Sequence, residues 1–379
     1  MDKPRKRVGI FFIFNPKWMG GVIYILNAIK VLNYLEDKDK PIIYVFYNPN
    51  LERFLEELDY PYLEKVLSTY PSVYNGFLKS LFTRRNVFVE DLITTYKLDS
   101  IFPLHDFPVR TKLNCKLISW YADLQHMHYP QFFSKAKRLE RYLRVQFILK
   151  NADHLVVSSE AVRDDFHRFF KIPKSLNFHT YHFVSIIDKF PEHSLAELKT
   201  QYNLPDDYFI ICNQFHKHKN HKVAFQAVAA LKKKGIRINL VLTGKLPEDA
   251  KSVYLQELRN ILAENQLEDQ IIFLGVLPRD VQLSIMKHSL AIIQPSLFEG
   301  WSTVNEDAIA LQKPVICSDL IVNIEQMKDK GYYFSPHDDA KLMQILSENN
   351  FKEIQQPIYE SYESRVTHAA KTLHKILTT

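Results

Sequence analysis

"LAIIQPSLFEGWSTVNEDAIALQKPVICSD", residues 290–319, decides how the chain is to be read. An apolar run over 290–294 ends at Pro295, and a second opens at Pro314. Between them Ser302 or Thr303 can cap a helix reaching to about Leu311. A strand, a helix and a strand in about thirty residues form a crossover unit of parallel sheet. The runs are apolar throughout rather than alternating, so the sheet should be covered on both faces.

The same alternation extends outward in both directions. Upstream in the second half lie "YFIICNQ" (208–214), "INLVLTG" (238–244) and "IIFLGV" (271–276), and downstream "YYFSP" (332–336). The first half offers "VGIFFIF" (8–14), "IIYVFY" (42–47), "SIFPL" (100–104), "KLISWY" (116–121) and "HLVVSS" (154–159). Helical spacing fills 21–36, 88–97, 134–150 and 160–170. The polar stretch 184–207, with Pro191 and Pro205, reads as a linker. The expected architecture is α/β: two doubly wound Rossmann-like domains facing a cleft. The first spans 1–184 and the second 185–356, with a terminal helix in 357–379 returning to the first.

At 379 residues, two domains are the prior. The net charge of +6 is a mild bias toward anionic partners, and no groove-reading motif supports nucleic acid. Three scattered cysteines, Cys115, Cys212 and Cys317, form neither a disulfide framework nor a zinc site and suit a reducing cytosol. The basic then apolar N-terminus is too short in its apolar part for a signal peptide, and no run reaches the length of a membrane span.

In such sheets ligands bind where strands end and helices begin. After the strand at 290–294, Thr303 and Glu306 match a capping box, which accounts for Glu306 structurally. Glu299 and Asp307 remain. Backbone N–H groups at 302–304, in the turn Gly300-Trp301-Ser302-Thr303, would face an anion. Carboxylates beside them suit hydroxyl groups. An anion carrying hydroxyls describes a nucleotide sugar.

Three further loops carry chemistry. In "CNQFHKHKNHKVAFQAV" (212–228), His216, Lys217, His218, Lys219 and His221 crowd a helix start, where cations are unfavourable unless an anion joins them. A solvated basic loop would show the same residues, while a metal site would need carboxylates or thiols nearby. In "NPKWMGGVIYIL" (15–26), Gly20-Gly21 allows close backbone approach, as would a plain tight turn. In "ADLQHMHYPQFF" (122–133), Asp123, His126 and His128 follow a strand end, and a histidine there can bond a sugar hydroxyl or exchange a proton. The basic helix 134–150 is either a solvated face or a peripheral contact with an anionic membrane at its inner face.

The stretch from Ser296 to Asp319 resembles the donor-binding segment of family 4 glycosyltransferases of the GT-B fold: Glu, seven intervening residues, a second acid, Ala, then a Pro-Val strand. Asp307 fills the second acidic position and Glu306 is its neighbour. The resemblance implies that Glu299 sits by the donor sugar and Asp307 holds the ribose. It also implies that Lys219 clamps the diphosphate, with Gln214 where the family has Arg and His216 or His218 contributing. It places Gly20-Gly21 against phosphate and acceptor, and a histidine after the strand at 116–121 at the sugar. His126 is the first choice for that histidine, Asp123 the second.

The implied activity is retaining transfer from a nucleoside diphosphate sugar to a glycan or lipid-linked acceptor in surface polysaccharide or glycoconjugate synthesis. No cofactor and no obligatory metal are implied. A sugar-nucleotide epimerase of the same fold, or a non-catalytic nucleotide-sugar or glycan-binding protein, would fit the same residues.

Overall fold

The computed structural model describes residues 4–13, 18–68, 80, 82–83, 85–104, 110–246, 252–348, 350–353 and 357–379. Residues 14–17, at the end of the first expected strand and the start of its glycine loop, lie outside the described residues. The chain forms two compact units: Met1–Ile186 with Ser361–Thr379, and Ile187–Glu360.

The first unit is built on β1 (Arg7–Phe12), β2 (Ile42–Tyr47), β3 (Leu63–Leu67), β4 (Ser100–Phe102), β5 (Lys116–Tyr121), β6 (His154–Val157) and β7 (Asn177–Thr180). They lie in the order β3-β2-β1-β4-β5-β6-β7, every pairing parallel. Two of these strands were not expected. β3 ("LEKVL") and β7 ("NFHT") are the sheet's two edges, so neither is apolar along its whole length. The terminal helix, Tyr362–Thr378, belongs to this unit and buries Val366, Ala369, Ala370, Leu373, Ile376 and Leu377 along one stripe. Ser100 Oγ donates to the Leu377 carbonyl at 2.6 Å, tying that helix to β4.

The second unit is built on β8 (Phe209–Cys212), β9 (Leu240–Thr243), β10 (Ile271–Gly275), β11 (Ile292–Gln294), β12 (Val315–Ser318) and β13 (Gly331–Phe334). Their order is β10-β9-β8-β11-β12-β13, again all parallel. The continuous apolar runs have a direct cause. In β8, Phe209 and Ile211 enter one buried cluster while Ile210 and Cys212 enter the other. β11 divides Ile293 from Ile292 in the same way, and β12 divides Ile316 from Val315 and Cys317. Successive side chains on a strand point to opposite faces, so a sheet covered on both needs apolar residues at every position.

The stretch 184–207 is not a plain linker. Ser194 and Glu197 form a reciprocal capping box that starts a helix at Leu195–Tyr202, and Leu198 is buried in the core of the second unit. Among the described residues, no helix is long and apolar enough to cross a membrane.

Candidate functional site

In the second sheet the chain runs outward from β8 to β9 and β10 on one side and from β11 to β12 and β13 on the other. The loops leaving the adjacent ends of β8 and β11 therefore diverge, and such a switch point is where open parallel sheets bind ligands. Both loops are the ones the sequence singles out.

They are held to each other through polar side chains. Asn213, just past β8, donates its amide to Gln294 Oε1 at 2.6 Å, and Gln294 Nε2 in turn donates to Glu299 Oε1 at 2.8 Å. Lys219 Nζ donates to that same oxygen at 2.6 Å, with side-chain exposures of 19% for the lysine and 9% for the glutamate. Asn220 takes the left-handed backbone conformation, φ 53°, between a single helical turn at Lys217–Lys219 and the helix His221–Lys233. Its amide bridges the carbonyls of Pro295 and Pro336 at 3.0 and 2.7 Å. Leu297 N–H reaches the His218 carbonyl at 2.7 Å. At the end of β9, Gly244 has φ 124°, and a Cβ there would stand 2.3 Å from the Asn213 carbonyl oxygen, so only glycine permits this approach.

The histidines divide into two kinds. His216 and His218 stack on each other with centroids 5.7 Å apart, and His216 Nε2 lies 2.9 Å from Gln214 Oε1. Burial, with Lys219 nearby, lowers the pKa of His216. His221 is fully buried on Phe215, centroids 4.3 Å apart. Burial, reinforced by Lys219, pushes its pKa down to about 3. It is a neutral core ring.

Past β11, the helix Thr303–Ala310 begins differently from the expected capping box. Ser302 is the cap, accepting from Asn305 N–H at 3.1 Å, which makes Asn305 rather than Glu306 the third helical residue. Glu306 does not cap; it turns inward and accepts from Gln326 Nε2 at 2.7 Å. Gln326 also donates to the Ser302 carbonyl, and Asn305 donates to Asn323 and Gln326. This buried network fastens the helix to the next one, Ile321–Met327. Gly300 and Ser302 are buried, whereas Trp301 and Thr303 are half-buried in the turn.

Asp307 is almost fully buried, and both its oxygens are taken by Arg279: Nη1 to Oδ2 at 2.7 Å, and Nη2 to Oδ1. Arg279 opens the helix Arg279–His288 after β10. Sequence reading missed it, although a cation in a first helical turn opposes the helix dipole and asks for an anion. The Asn213–Gln294 link and the Asn305–Asn323–Gln326 network were missed as well, because amides carry no spacing signature.

In the first unit, Gly20 and Gly21 lie within the first turn of the helix Met19–Lys30, not in a loop before it. Gly21 is required by packing: a Cβ there would lie 2.5 Å from the Trp18 ring. At Gly20 the nearest atom would stand 3.7 Å away, an ordinary contact. Asp123 accepts from Gln125 N–H at 2.9 Å and sits 3.7 Å from Arg141 Nη1. His128 is anchored to Asp165 at 2.6 Å. His126 is buried, and neither ring nitrogen has a hydrogen-bond partner among the described residues. Burial, then Arg141, pushes its pKa down to about 4, against the pull of Asp123. A buried ring with two unspent nitrogens separates His126 from its neighbours. Among the described residues, no group of three His, Cys, Asp or Glu is placed to hold a metal ion.

Two doubly wound parallel units of this kind make up the GT-B glycosyltransferase fold. Residues 196–355, all within the second unit, match the family model described as "Glycosyl transferases group 1". The putative glycosyltransferase EpsF of Bacillus subtilis is 34% identical over 108 residues, 28% of this chain and 26% of that one. The O-antigen chain mannosyltransferase RfbU of Salmonella typhimurium is 24% identical over 230 residues, 60% of this chain and 58% of that one. The matched stretches thus span about a quarter and somewhat over half of those curated relatives. Among solved structures, sucrose-phosphate synthase of Thermosynechococcus elongatus superposes with a TM-score of 0.65 at 15% identity, over 99% of this chain and 95% of that one. Anabaena HepE, solved in complex with UDP and glucose, superposes with a TM-score of 0.64 at 16% identity, over 98% and 94%.

The buried His221 has a measurable consequence. Its folded-state pKa lies below its unfolded value, so the unfolded chain binds the extra proton. Its contribution to stability should be present above about pH 6.5 and be lost as the pH falls toward 3. In urea unfolding, the loss between those limits should be smaller for His221→Phe than for wild type, and equal pH slopes would contradict the assignment.

Proposed function

We propose that the chain is a retaining glycosyltransferase. It moves a sugar from a nucleoside diphosphate sugar to the hydroxyl of a glycan or lipid-linked acceptor, in surface polysaccharide or glycoconjugate synthesis. The observation that carries this reading is the Lys219–Glu299 pair at the switch point of the second sheet. A diphosphate bound there draws Lys219 from Glu299. The released carboxylate then accepts a bond from a hydroxyl of the donor sugar. Asp307, oriented by Arg279, accepts from the ribose. Gln214, His216 and His218 line the phosphate side with hydrogen-bonding groups, and the turn Gly300-Trp301-Ser302-Thr303 offers backbone N–H groups.

In the reaction, the bond from the anomeric carbon to the diphosphate breaks, one to the acceptor oxygen forms, and the acceptor hydroxyl's proton passes to the departing diphosphate. Lys219 and the adjacent helix N-terminus stabilise the charge on the departing diphosphate, so the proposal includes no obligatory metal. The first unit presents the acceptor, with His126 as its candidate for bonding a sugar hydroxyl. Three buried free cysteines accord with work in a reducing cytosol.

One surface of the first unit supports a peripheral membrane contact. The helix Lys135–Asn151 buries Val145, Ile148 and Leu149. Its outward stripe carries Leu139, Tyr142 and Leu143, exposed at 59%, 43% and 42%, between Lys135 and Lys150. Apolar residues flanked by cations suit an anionic lipid surface.

Incubation with a panel of nucleoside diphosphate sugars and glycan acceptors, in the presence of a chelator and with products read by mass, tests the activity. A glycosylated acceptor and free nucleoside diphosphate are expected. An altered donor epimer without acceptor use would favour an epimerase, and binding without turnover a non-catalytic protein. In flotation with vesicles, binding should require phosphatidylglycerol and weaken with salt, and L139E/L143E should abolish it. Equal binding to pure phosphatidylcholine would contradict the electrostatic part.

A further inference from the structure

Trp18 is a large ring left 42% exposed. It caps the helix that follows β1, and in the first sheet β1 and β4 are the neighbours from which the chain runs outward in opposite directions. The ring therefore stands at the rim of that sheet's own switch point. It is held in a ladder of aromatic rings. Trp18 stacks on Trp120 of β5, centroids 5.5 Å apart and planes 9° apart, and Trp120 stacks on Tyr24 at 3.8 Å. Tyr24 stacks in turn on Phe183 at 5.7 Å, while Trp120 Nε1 donates to Ser158 Oγ at 3.2 Å. Gly21 leaves the space the indole occupies. Three devices thus fix the plane of a ring whose burial is incomplete. Hydrophobic burial alone would favour hiding it, since apolar surface left in water forgoes about 25 cal/mol per Å².

We propose that Trp18 is a carbohydrate platform, on which a pyranose ring of the acceptor stacks. The inference rests on the glycosyltransferase reading for the word acceptor, but its geometry belongs to the first unit alone. A pyranose presents a face of C–H groups carrying slight positive charge, ringed by hydroxyls. The face of an indole carries the negative part of its quadrupole. A flat, preoriented indole therefore recognises the C–H face while water or polar groups satisfy the hydroxyl edge. Two torsions fix a tryptophan side chain, so little side-chain entropy is lost when the sugar lands. The ladder behind Trp18 removes most of what remains.

The test uses the full chain labelled with 5-fluorotryptophan, which gives three ¹⁹F lines because the sequence holds three tryptophans. Loss of a line in Trp18→Leu assigns it. Methyl α- and β-glycosides of glucose, galactose, mannose and N-acetylglucosamine are titrated in, and uridine and guanosine diphosphates are titrated separately. At least one glycoside should move the Trp18 line. Trp18→Leu should weaken that glycoside roughly two- to tenfold, with Trp18→Phe between the two, while nucleotide affinity stays at the wild-type value. A Trp18 line unmoved by every glycoside, or equal glycoside affinity in Trp18→Leu, would overturn the platform. Failure of both nucleotides to bind wild type would instead count against the glycosyltransferase reading.

Discussion

A lysine and a glutamate from two diverging loops, both largely withdrawn from water, share one 2.6 Å bond. Neither tolerates being left alone at that depth, because breaking a buried pair strands an uncompensated charge at a cost of about 3–5 kcal/mol when burial is complete. The lesser burial of this pair reduces that cost without abolishing it. The loops are consequently positioned by each other. Gln294 and Asn213 extend the link into the ends of β11 and β8, and Asn220 closes it onto two proline carbonyls. A ligand that displaces Glu299 from Lys219 must itself bring an anion for the lysine and a donor for the carboxylate. A diphosphate followed by a hydroxylated ring meets both needs in one molecule.

The second acid is arranged on the same principle by a separate route. Asp307 is fixed by two bonds from Arg279, and its helix is held from the far side by Glu306, Asn305 and Gln326. An aspartate is one methylene shorter than a glutamate. The helix that bears it must therefore be placed closely, and a network of buried amides does this at the expense of tolerance to substitution.

Much of the fold was legible because a parallel sheet covered on both faces demands apolar residues on successive strand positions, as in "FIIC" (209–212) and "VIC" (315–317). The edges β3 and β7 were not legible, since neither has a fully buried position and the apolar signal is lost. The helix at Leu195–Tyr202 hid within a polar stretch that buries only Leu198 among its eight residues. At the site, Lys219, Glu299 and Asp307 could be singled out because a charge beside a strand end has few structural explanations. Their partners could not. Arg279 lies 28 residues from Asp307, and no local spacing relates them. Glu306 illustrates the opposite error. A capping box is a pattern of residue types, and a helix capped one residue earlier, by Ser302 rather than Thr303, leaves the pattern without its geometry.

The proposed exchange of partners at Lys219 is most directly tested by calorimetric titration of a nucleoside diphosphate, and of the corresponding nucleotide sugar, into wild type, Lys219→Ala and Glu299→Gln. Loss of a charge-assisted contact worth about 1.5–3 kcal/mol should weaken the diphosphate more than tenfold in Lys219→Ala. Glu299→Gln, which removes the competitor for Lys219, should leave the diphosphate bound at least as tightly as in wild type while weakening the nucleotide sugar. Diphosphate affinity unchanged by Lys219→Ala would contradict the account, and the ion pair would then be a structural bond between two loops.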